Sequence, residues 1–405
     1  MPAAVIVSAV RSPIGRAHKG SLVSMRADEL AVQTVRAALA RVPGLEGHHI
    51  EDLLLGCGLP AGEQGFNLGR LVAVGLGYDS LPATTVNRFC ASSLQTTRMA
   101  AHAIEAGDGD VYLSVGVENV SRLGENPPDS DPATHNPRFA AAQARTAKLA
   151  STSAGWCDPR AAGELPDFYI GMGQTAENVA LAYDISRADM DEYAARSQNR
   201  AEAAVDAGFF KREIVPVELP DGRVVSEDDG PRRGTTVEAL AGLAPAFRAD
   251  GRVTAGNACP LNDGAAALVV MREERARQFG VTPLARIVAT SVSALSPEIM
   301  GVGPIEATQR VLRRAGMRLG DVDLIEINEA FASQVLATAR ELDLDMDKLN
   351  VNGGAIAIGH PFGMSGARIT TTLINALQER DAAIGLETMC IGGGQGMAMI
   401  IERLS

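Results

Sequence analysis

Ala4-Val-Ile-Val-Ser-Ala-Val-Arg-Ser-Pro13 and Ala285-Arg-Ile-Val-Ala-Thr-Ser-Val-Ser-Ala-Leu-Ser-Pro297 are two apolar runs that each halt at Ser-Pro. The pairing decides the fold, because the segments downstream of the two runs are also alike. A helical pattern leads in both halves to an acidic-then-apolar strand, Ile50-Glu-Asp-Leu-Leu-Leu-Gly56 in one and Val322-Asp-Leu-Ile-Glu-Ile327 in the other. A third pair comes in the same order: Val86-Asn-Arg-Phe-Cys90 matches Val351-Asn-Gly-Gly-Ala355, each followed by a small-residue helical stretch and a strand, Val111–Val117 or Ile384–Ile391. Short β-branched runs alternating with Ala-rich amphipathic stretches predict an α/β protein with a mainly parallel sheet. Three ordered pairings predict that the fold is duplicated.

Residues roughly 120–250 have no counterpart and read as an insertion. It opens with Glu125-Asn-Pro-Pro-Asp-Ser-Asp-Pro132 and later carries Asp228-Asp-Gly-Pro-Arg-Arg-Gly234, so loops surround a few helices. Ser186-Arg-Ala-Asp189 fits a capping box, with Met190, Tyr193, Ala194, Ser197 and Ala201 on one face of the helix that comes next. A second helix is predicted over 305–315, started by Pro304 and stopped by Gly316.

The 405 residues are 46% hydrophobic and 21% charged with no biased tract, which excludes a disordered, collagenous or coiled-coil chain. A formal charge of −12 argues against general affinity for nucleic acid or an anionic membrane surface, so an anionic substrate needs a local basic patch. Lys211, Arg212, Arg232, Arg233 and Arg248 in or beside the insertion could supply one. No apolar stretch reaches the length of a membrane span and the first residues lack signal-peptide features, so a cytoplasmic protein is expected. Five widely spaced cysteines without a CxxC, and only six His, suggest neither a disulfide frame nor a metal site.

Cys90 lies between an apparent strand and a helix. It is either a buried core residue or a nucleophile whose thiol is acidified by the helix N-terminus. His360 sits in Gly353-Gly-Ala-Ile-Ala-Ile-Gly-His-Pro-Phe-Gly-Met-Ser-Gly366, where it is either structural or placed to take a thiol proton. Cys390 precedes Ile391-Gly-Gly-Gly-Gln-Gly396, whose amides either pack tightly or bind an oxyanion. Asn328 closes a strand, as a helix cap or as part of a site at strand ends. His18, His48, His49, His102 and His135 fall in loops or on helices away from these segments.

Together these segments resemble the thiolase family over nearly the whole chain. The residues that carry the resemblance are VNRFCASSLQ around Cys90, GMGQTAENVA around Met172, GRVTAGNACPLNDGAAA around Asn257, MGVGP around Met300, NEAFA around Asn328, NVNGGAIAIGHPFGMSGAR around His360 and CIGGGQGMA around Cys390. The resemblance implies a thiolase fold of two similar βαβ-type halves in five α/β/α/β/α layers. The N-terminal half would be residues 1–120 plus 250–274, the inserted loop domain over the coenzyme A site 121–249, and the C-terminal half 275–405. It further implies Cys90 as acyl-accepting nucleophile, His360 as its base, Cys390 as the acid/base toward the acetyl carbon, and Asn328 holding a water that stabilises the enolate with His360. The amides of Cys90 and Gly392 would receive the oxyanion of the tetrahedral intermediate.

For the coenzyme, the resemblance maps Arg232 to the adenosine phosphate region, Met172, Phe247 and Ala255 to the pantetheine channel, and Cys259 to a position often held by a serine that bonds pantetheine. A thiol is a weaker donor than that hydroxyl. Met300, Phe331 and the 120–170 stretch would surround the acyl group. Gly171 stands where acetoacetyl-CoA-forming members have a His, and Asn87-Arg88 before Phe89-Cys90 looks like the degradative branch. The implied activity is therefore thiolytic cleavage of 3-ketoacyl-CoA, of the β-oxidation type, with coenzyme A as co-substrate and no bound cofactor or metal. Acetoacetyl-CoA formation, carrier-dependent ketoacyl synthesis and an inactive acyl-CoA-binding protein are the rivals. A homodimer or homotetramer is expected, with a hydratase/dehydrogenase as a potential partner.

Overall fold

The computed structural model describes residues 2–124, 131–152 and 154–405. Most of the Glu125–Pro132 stretch lies outside them. The first half runs β1 (Ala4–Arg11), a short β2 (Gly15–Arg16), α1 (Ala27–Ala40), β3 (Asp52–Gly56), α2 (Leu68–Gly75), β4 (Ala83–Val86), α3 (Ser92–Ala106) and β5 (Val111–Asn119). The insertion carries α4 (Ala140–Ala150), α5 (Met172–Ala182), α6 (Arg187–Asp206), a two-strand ribbon of β6 (Val217–Glu218) and β7 (Val224–Val225), and α7 (Val237–Ala241). Then come β8 (Asn262–Arg272), α8 (Glu273–Phe279), β9 (Ala285–Ala294), α9 (Gly303–Ala315), β10 (Leu324–Ile327), α10 (Ala332–Leu342), α11 (Ala355–Ile358), α12 (Ser365–Glu379), β11 (Ile384–Ile391) and β12 (Gln395–Arg403).

The strand order β10-β11-β12-β9-β1-β8-β5-β3-β4 reads the same outward from its centre in both directions. In the first half β1 pairs antiparallel with β8, β8 antiparallel with β5, and β5 and β4 flank β3 in parallel. In the second half β9 pairs antiparallel with β12, β12 antiparallel with β11, and β11 parallel with β10. A parallel bridge from Ile325 to Leu349 takes the place of the β3–β4 ladder. Only two residue pairs, Val5 with Arg286 and Ile6 with Ala285, join the halves across β1 and β9. The duplication expected from the sequence is present. The sheet is mixed rather than mainly parallel, because the central strands β1, β8, β9 and β12 meet their neighbours antiparallel.

Side-chain alternation sorts the strands into layers, since successive residues of a strand face opposite sides. On β8, Ala265, Ala267, Val269 and Met271 pack with α1 and α2, whereas Ala266, Leu268 and Val270 pack with α3 and α12. On the other half, Met389, Met397, Met399 and Ile401 join that same central cluster, and Leu386, Ala398 and Ile400 pack with α9 and α10. The layers are thus α1/α2, strands, α3/α12, strands, α9/α10. The central position of α12 explains why every residue from Ser365 to Ile374 is buried. Sheets covered on both faces need apolar residues at consecutive positions, as AAALVVM in β8 provides.

The two helices with sequence signals form as expected. Ser186 caps α6 in a reciprocal box with Asp189, and α9 carries Pro304 in its first turn and stops at Gly316, whose φ of +66° suits the left-handed cap. The insertion is tied to β1 by buried Arg11, whose guanidinium meets Glu213 at 2.6 Å and Asp228 at 2.7 Å. Removing one partner of such a buried pair costs about 3–5 kcal/mol, because the other charge stays desolvated. A second buried group lies between α12 and the C-terminal strands. Glu326 and Glu387 are register neighbours on parallel β10 and β11, Thr370 donates to Glu387, and Arg368 reaches within 4.0 Å of Glu326. Among the described residues no helix is long and apolar enough to cross a membrane.

Candidate active site

Four loops at strand ends converge on Cys90. It lies in a single 3-10 turn, Phe89–Ala91, that leads directly into α3. The turn is braced on both sides: Phe89 N–H donates to Asn87 Oδ1 at 2.8 Å, Arg88 N–H to Ser92 Oγ at 2.9 Å, and Ser92 Oγ–H to the Phe89 carbonyl at 2.7 Å. These bonds hold Phe89 at a φ of +44°, a conformation that costs a non-glycine residue about 1–3 kcal/mol. Arg88 Nη1 reaches Gln395 Oε1 at 2.7 Å and so fastens this turn to the Gly-rich loop after Cys390.

The Cys90 sulfur lies against two amides, its own and that of Gly392. Both favour a thiolate, as the position before a helix suggests, yet burial outweighs them and pushes the thiol up to about 11. Of the two readings the sequence leaves open, an acidified thiol is not what the structure provides: Cys90 is 8% exposed, and desolvation acts on the whole side chain whereas the helix end acts only through its terminal amides. It needs a base to ionise. Cys390 is buried as well and raised for the same reason, with Cys90 nearby adding to the effect.

His360 is 1% exposed in the loop before α12. Its Nδ1 stands 2.5 Å from Ser365 Oγ, its Nε2 3.2 Å from Asn328 Nδ2, and its backbone N–H donates to Asn262 Oδ1 at 2.9 Å. Burial, with the Arg368 charge behind it, lowers the imidazole to about 3, so it is neutral across the ordinary pH range. Asn328 is not a helix cap: α10 starts only at Ala332, and the Asn328 side chain is turned to the imidazole. Its Oδ1 is buried with no hydrogen-bond partner among the described residues. Cys90, His360 and Asn328, with Cys390 at the end of β11 and Gly392 just after it, thus come from four separate segments to one place.

Residues that sequence reasoning passed over hold these loops. Glu118, at the end of β5, accepts from the amides of Gly58 at 2.7 Å, Leu59 at 3.1 Å and Gly363 at 2.8 Å, and from Gln64 Nε2 at 3.0 Å. Gly363 has to be glycine there, since a Cβ would come within 2.3 Å of the Val117 carbonyl. Glu329 accepts from Tyr193, Ser197, Asn350 and the Ile356 amide, locking the Asn328 loop to α6 and to the loop before His360. Glu329, Asn262 and Ser365 lie inside the quoted motifs, which was the available signal. Glu118 and Gln64 had none.

A cavity of about 570 Å³ opens onto Cys90, walled by Leu59, Phe89, Phe168, Tyr169, Met172 and Phe362 among others. His135, set aside in the sequence, also lines it, stacked on Tyr169 at 3.9 Å. Phe247 lies over Gly173 and meets Phe331 edge-on at 6.3 Å; Cys259, partly buried, donates its N–H to the Ala330 carbonyl at 3.0 Å, and Ala255 is exposed. Met300 is 1% exposed and packed in the C-terminal core rather than on the cavity wall. Of the basic residues, Arg233 pairs with Asp206 at 3.1 Å, and Arg248 clamps Gln174 and Asn178 of α5. Arg232 has no side-chain hydrogen bond among the described residues and remains available to an anion.

Residues 4–274 match the sequence model of the thiolase N-terminal domain and residues 281–403 that of the thiolase C-terminal domain. The chain is 42% identical to the 3-ketoacyl-CoA thiolase of Bacillus subtilis (strain 168), covering 99% of this chain and 100% of the relative. It is 45% identical to the 3-oxoadipyl-CoA/3-oxo-5,6-dehydrosuberyl-CoA thiolase of Escherichia coli (strain K12), with 100% of both chains covered. Among solved structures it is similar to the acetyl-CoA acetyltransferase of Bacillus anthracis, with a TM-score of 0.85, 40% identity, and coverage of 100% of this chain and 99% of that one.

Proposed function

Since the chain belongs to the thiolase family, a family of acyltransferases acting on coenzyme A thioesters, we propose that it cleaves 3-ketoacyl-CoA with coenzyme A, giving acetyl-CoA and an acyl-CoA two carbons shorter. The observation that carries this direction is the cavity of about 570 Å³ beside Cys90, apolar and aromatic on most of its wall and far larger than an acetyl group fills. The relatives' printed names span 3-ketoacyl-CoA, 3-oxoadipyl-CoA and acetyl-CoA substrates, so the cavity and not the kinship argues for chain shortening. The acetyl-CoA acetyltransferase likeness favours the rival, condensation of two acetyl-CoA, in which that cavity would stay largely unfilled.

In this reading neutral His360 takes the Cys90 proton and the sulfur attacks the C3 ketone. The amides of Cys90 and Gly392 receive the oxyanion, each such donor being worth about 10²–10³ in rate. The C2–C3 bond then breaks, leaving the acyl group on Cys90 and an acetyl-CoA enolate that takes a proton from Cys390. The orphaned Oδ1 of Asn328 is the group left to hold a water beside Nε2, where the enolate oxygen is stabilised. A coenzyme A thiol, its proton passing to Cys390, attacks the acyl-Cys90 bond, and the released Cys90 thiolate takes its proton back from His360. Coenzyme A enters as co-substrate, with Arg232 at its phosphates, Met172, Phe247, Ala255 and Cys259 along the pantetheine, and Phe331 toward the acyl group. Residues 1–120 with 250–274, and 275–405, act as the paired halves, and 121–249 covers the coenzyme.

The same reading includes a cytoplasmic homodimer or homotetramer working in β-oxidation. Phe66 at full exposure, with Leu71 and Val74 on α2 beside edge strand β4, offers an apolar face for self-association. The test is mass spectrometry of the protein mixed with 3-ketoacyl-CoAs of several lengths without free coenzyme A. An acyl adduct on the Cys90 peptide, released by added coenzyme A, is expected. Absence of both adduct and thiolysis with every substrate overturns the reading and leaves the acyl-CoA-binding alternative.

A further inference from the structure

Phe168 is a partition between two cavities. One is the cavity of about 570 Å³ that reaches Cys90; the other, of about 380 Å³, is walled mainly by Phe139, Pro166, Leu295 and Pro297, with Asp158, Arg160 and Ser296 on its rim, and Phe168 lines both. The ring lies over the turn that carries the Gly392 amide, since a Cβ on Gly393 would come 3.1 Å from Phe168 Cε2. It meets Tyr169 edge-on at 5.4 Å and Phe139 at 6.3 Å. At 43% exposure it is held by few neighbours of its own.

What fixes this wall is one carboxylate on the far side of the chain. Glu298, 3% exposed at the start of the turn before α9, accepts from Arg145 Nη2 at 2.8 Å, Trp156 Nε1 at 2.7 Å and the Asp167 amide at 2.8 Å. Asp167 is the residue before Phe168, and its Oδ1 accepts from the Tyr169 amide at 3.0 Å. Three separated points of the inserted segment are therefore gathered on a single group of the C-terminal half. Charge-assisted bonds of this kind are the stronger ones, and none of the three donors touches Cys90, His360, Asn328 or Cys390.

We propose that Phe168, latched through Asp167 to Glu298, sets the upper length of the acyl group. With the latch closed, the acyl chain on Cys90 ends against the Phe168 ring. With the latch loosened or the ring removed, the two cavities join and a longer unbranched apolar chain passes into the second. Glu298 is a positioning residue in this arrangement and Phe168 a specificity-determining one. The inference rests on the thiolase reading given above.

The chain has a single tryptophan, so Trp156 emission reports the latch directly. The experiment measures thiolysis of a 3-ketoacyl-CoA length series, with Trp156 fluorescence, for the wild type, Glu298→Gln and Phe168→Ala. In the wild type kcat/KM rises by roughly fourfold per buried methylene and then breaks off at one length. In Phe168→Ala the break moves to longer chains. In Glu298→Gln it moves the same way, Trp156 emission shifts to the red, and four-carbon turnover stays within about twofold, a KM effect confined to long chains. A break at the same length in all three proteins, or an equal loss at every length, overturns the inference while leaving the thiolase reading intact. Absence of wild-type thiolysis at every length overturns that reading and the inference with it.

Discussion

Ser365 Oγ stands 2.5 Å from Nδ1 of His360 while donating its own proton to the Pro361 carbonyl at 2.8 Å. With the hydroxyl proton committed, the contact can be filled only by a proton on Nδ1, and the lone pair is left on Nε2, where Asn328 Nδ2 faces it. The base function proposed for His360 thus depends on Ser365, which acts only through the imidazole. Ser365→Ala removes one hydrogen bond of about 1–2 kcal/mol, and kcat is expected to fall roughly tenfold with KM for the acyl-CoA little changed. Steady-state kinetics with unchanged thermal stability checks it; an equal loss in KM alone speaks against it.

The thiol at about 11 and the imidazole at about 3 place both ionisations outside the usual window. The free enzyme is then the neutral thiol and neutral imidazole pair throughout the middle range, and kcat/KM should be flat from about pH 5 to 9. Alkylation of Cys90 by iodoacetamide should climb through that range and beyond without levelling near 8.5. A bend in kcat/KM near 6.5 would mean that His360 is far better solvated than its burial implies.

Glu326 and Glu387 are each pushed up to about 8, first by burial and then, against the pull of Arg368, by their carboxyl neighbours. A carboxyl whose folded value lies above its unfolded one binds more protons in the native state. Its stabilisation is complete below the unfolded value of about 4.3 and is lost as pH rises through about 8. The melting temperature should fall between pH 6 and 9, and Glu387→Gln, which keeps an acceptor for Thr370, should flatten that fall. Thermal melts across this range decide the matter.

Glu118 gathers three backbone amides and Gln64 on one buried carboxylate, and Glu118→Gln turns an amide N–H₂ toward those donors. Leaving buried donors unpaired costs about 1–3 kcal/mol each. Activity should drop more than stability, because Gly363 lies three residues past His360. A melting temperature reduced with undiminished kcat would show that the imidazole does not depend on this clamp.

Much of this was readable in the chain. The repeat of β1 in β9, the caps of α6 and α9, and the strand ends carrying Cys90, Asn328 and Cys390 are local patterns, fixed by residues within a few positions of one another. What the chain withheld was set by contacts between distant segments. Arg11 finds Asp228 across 217 positions and Glu298 finds Trp156 across 142, and nothing in either neighbourhood announces the partner. The choice between a buried and an acidified Cys90 stayed open for the same reason: the helix end is local, but burial is the sum of every segment that covers the sulfur.

The pairing of strands also relates the two ends of the site. Gly56 lies opposite Gly116 as Ile327 lies opposite Thr388, so Cys57 and Glu118 occupy in the first half the places of Asn328 and Cys390 in the second. Likewise the turn with Cys90 enters α3 as the loop with His360 enters α12. A dimer of two identical ancestral subunits with a cleft on its axis would have to offer the same side chain twice at each of these stations. Joining the copies in one polypeptide lifts that symmetry. The two copies were then free to diverge: at one pair of stations Cys57 and Glu118 now sit 3.6 Å apart as scaffold, opposite the Asn328 and Cys390 to which the proposed mechanism gives chemical roles.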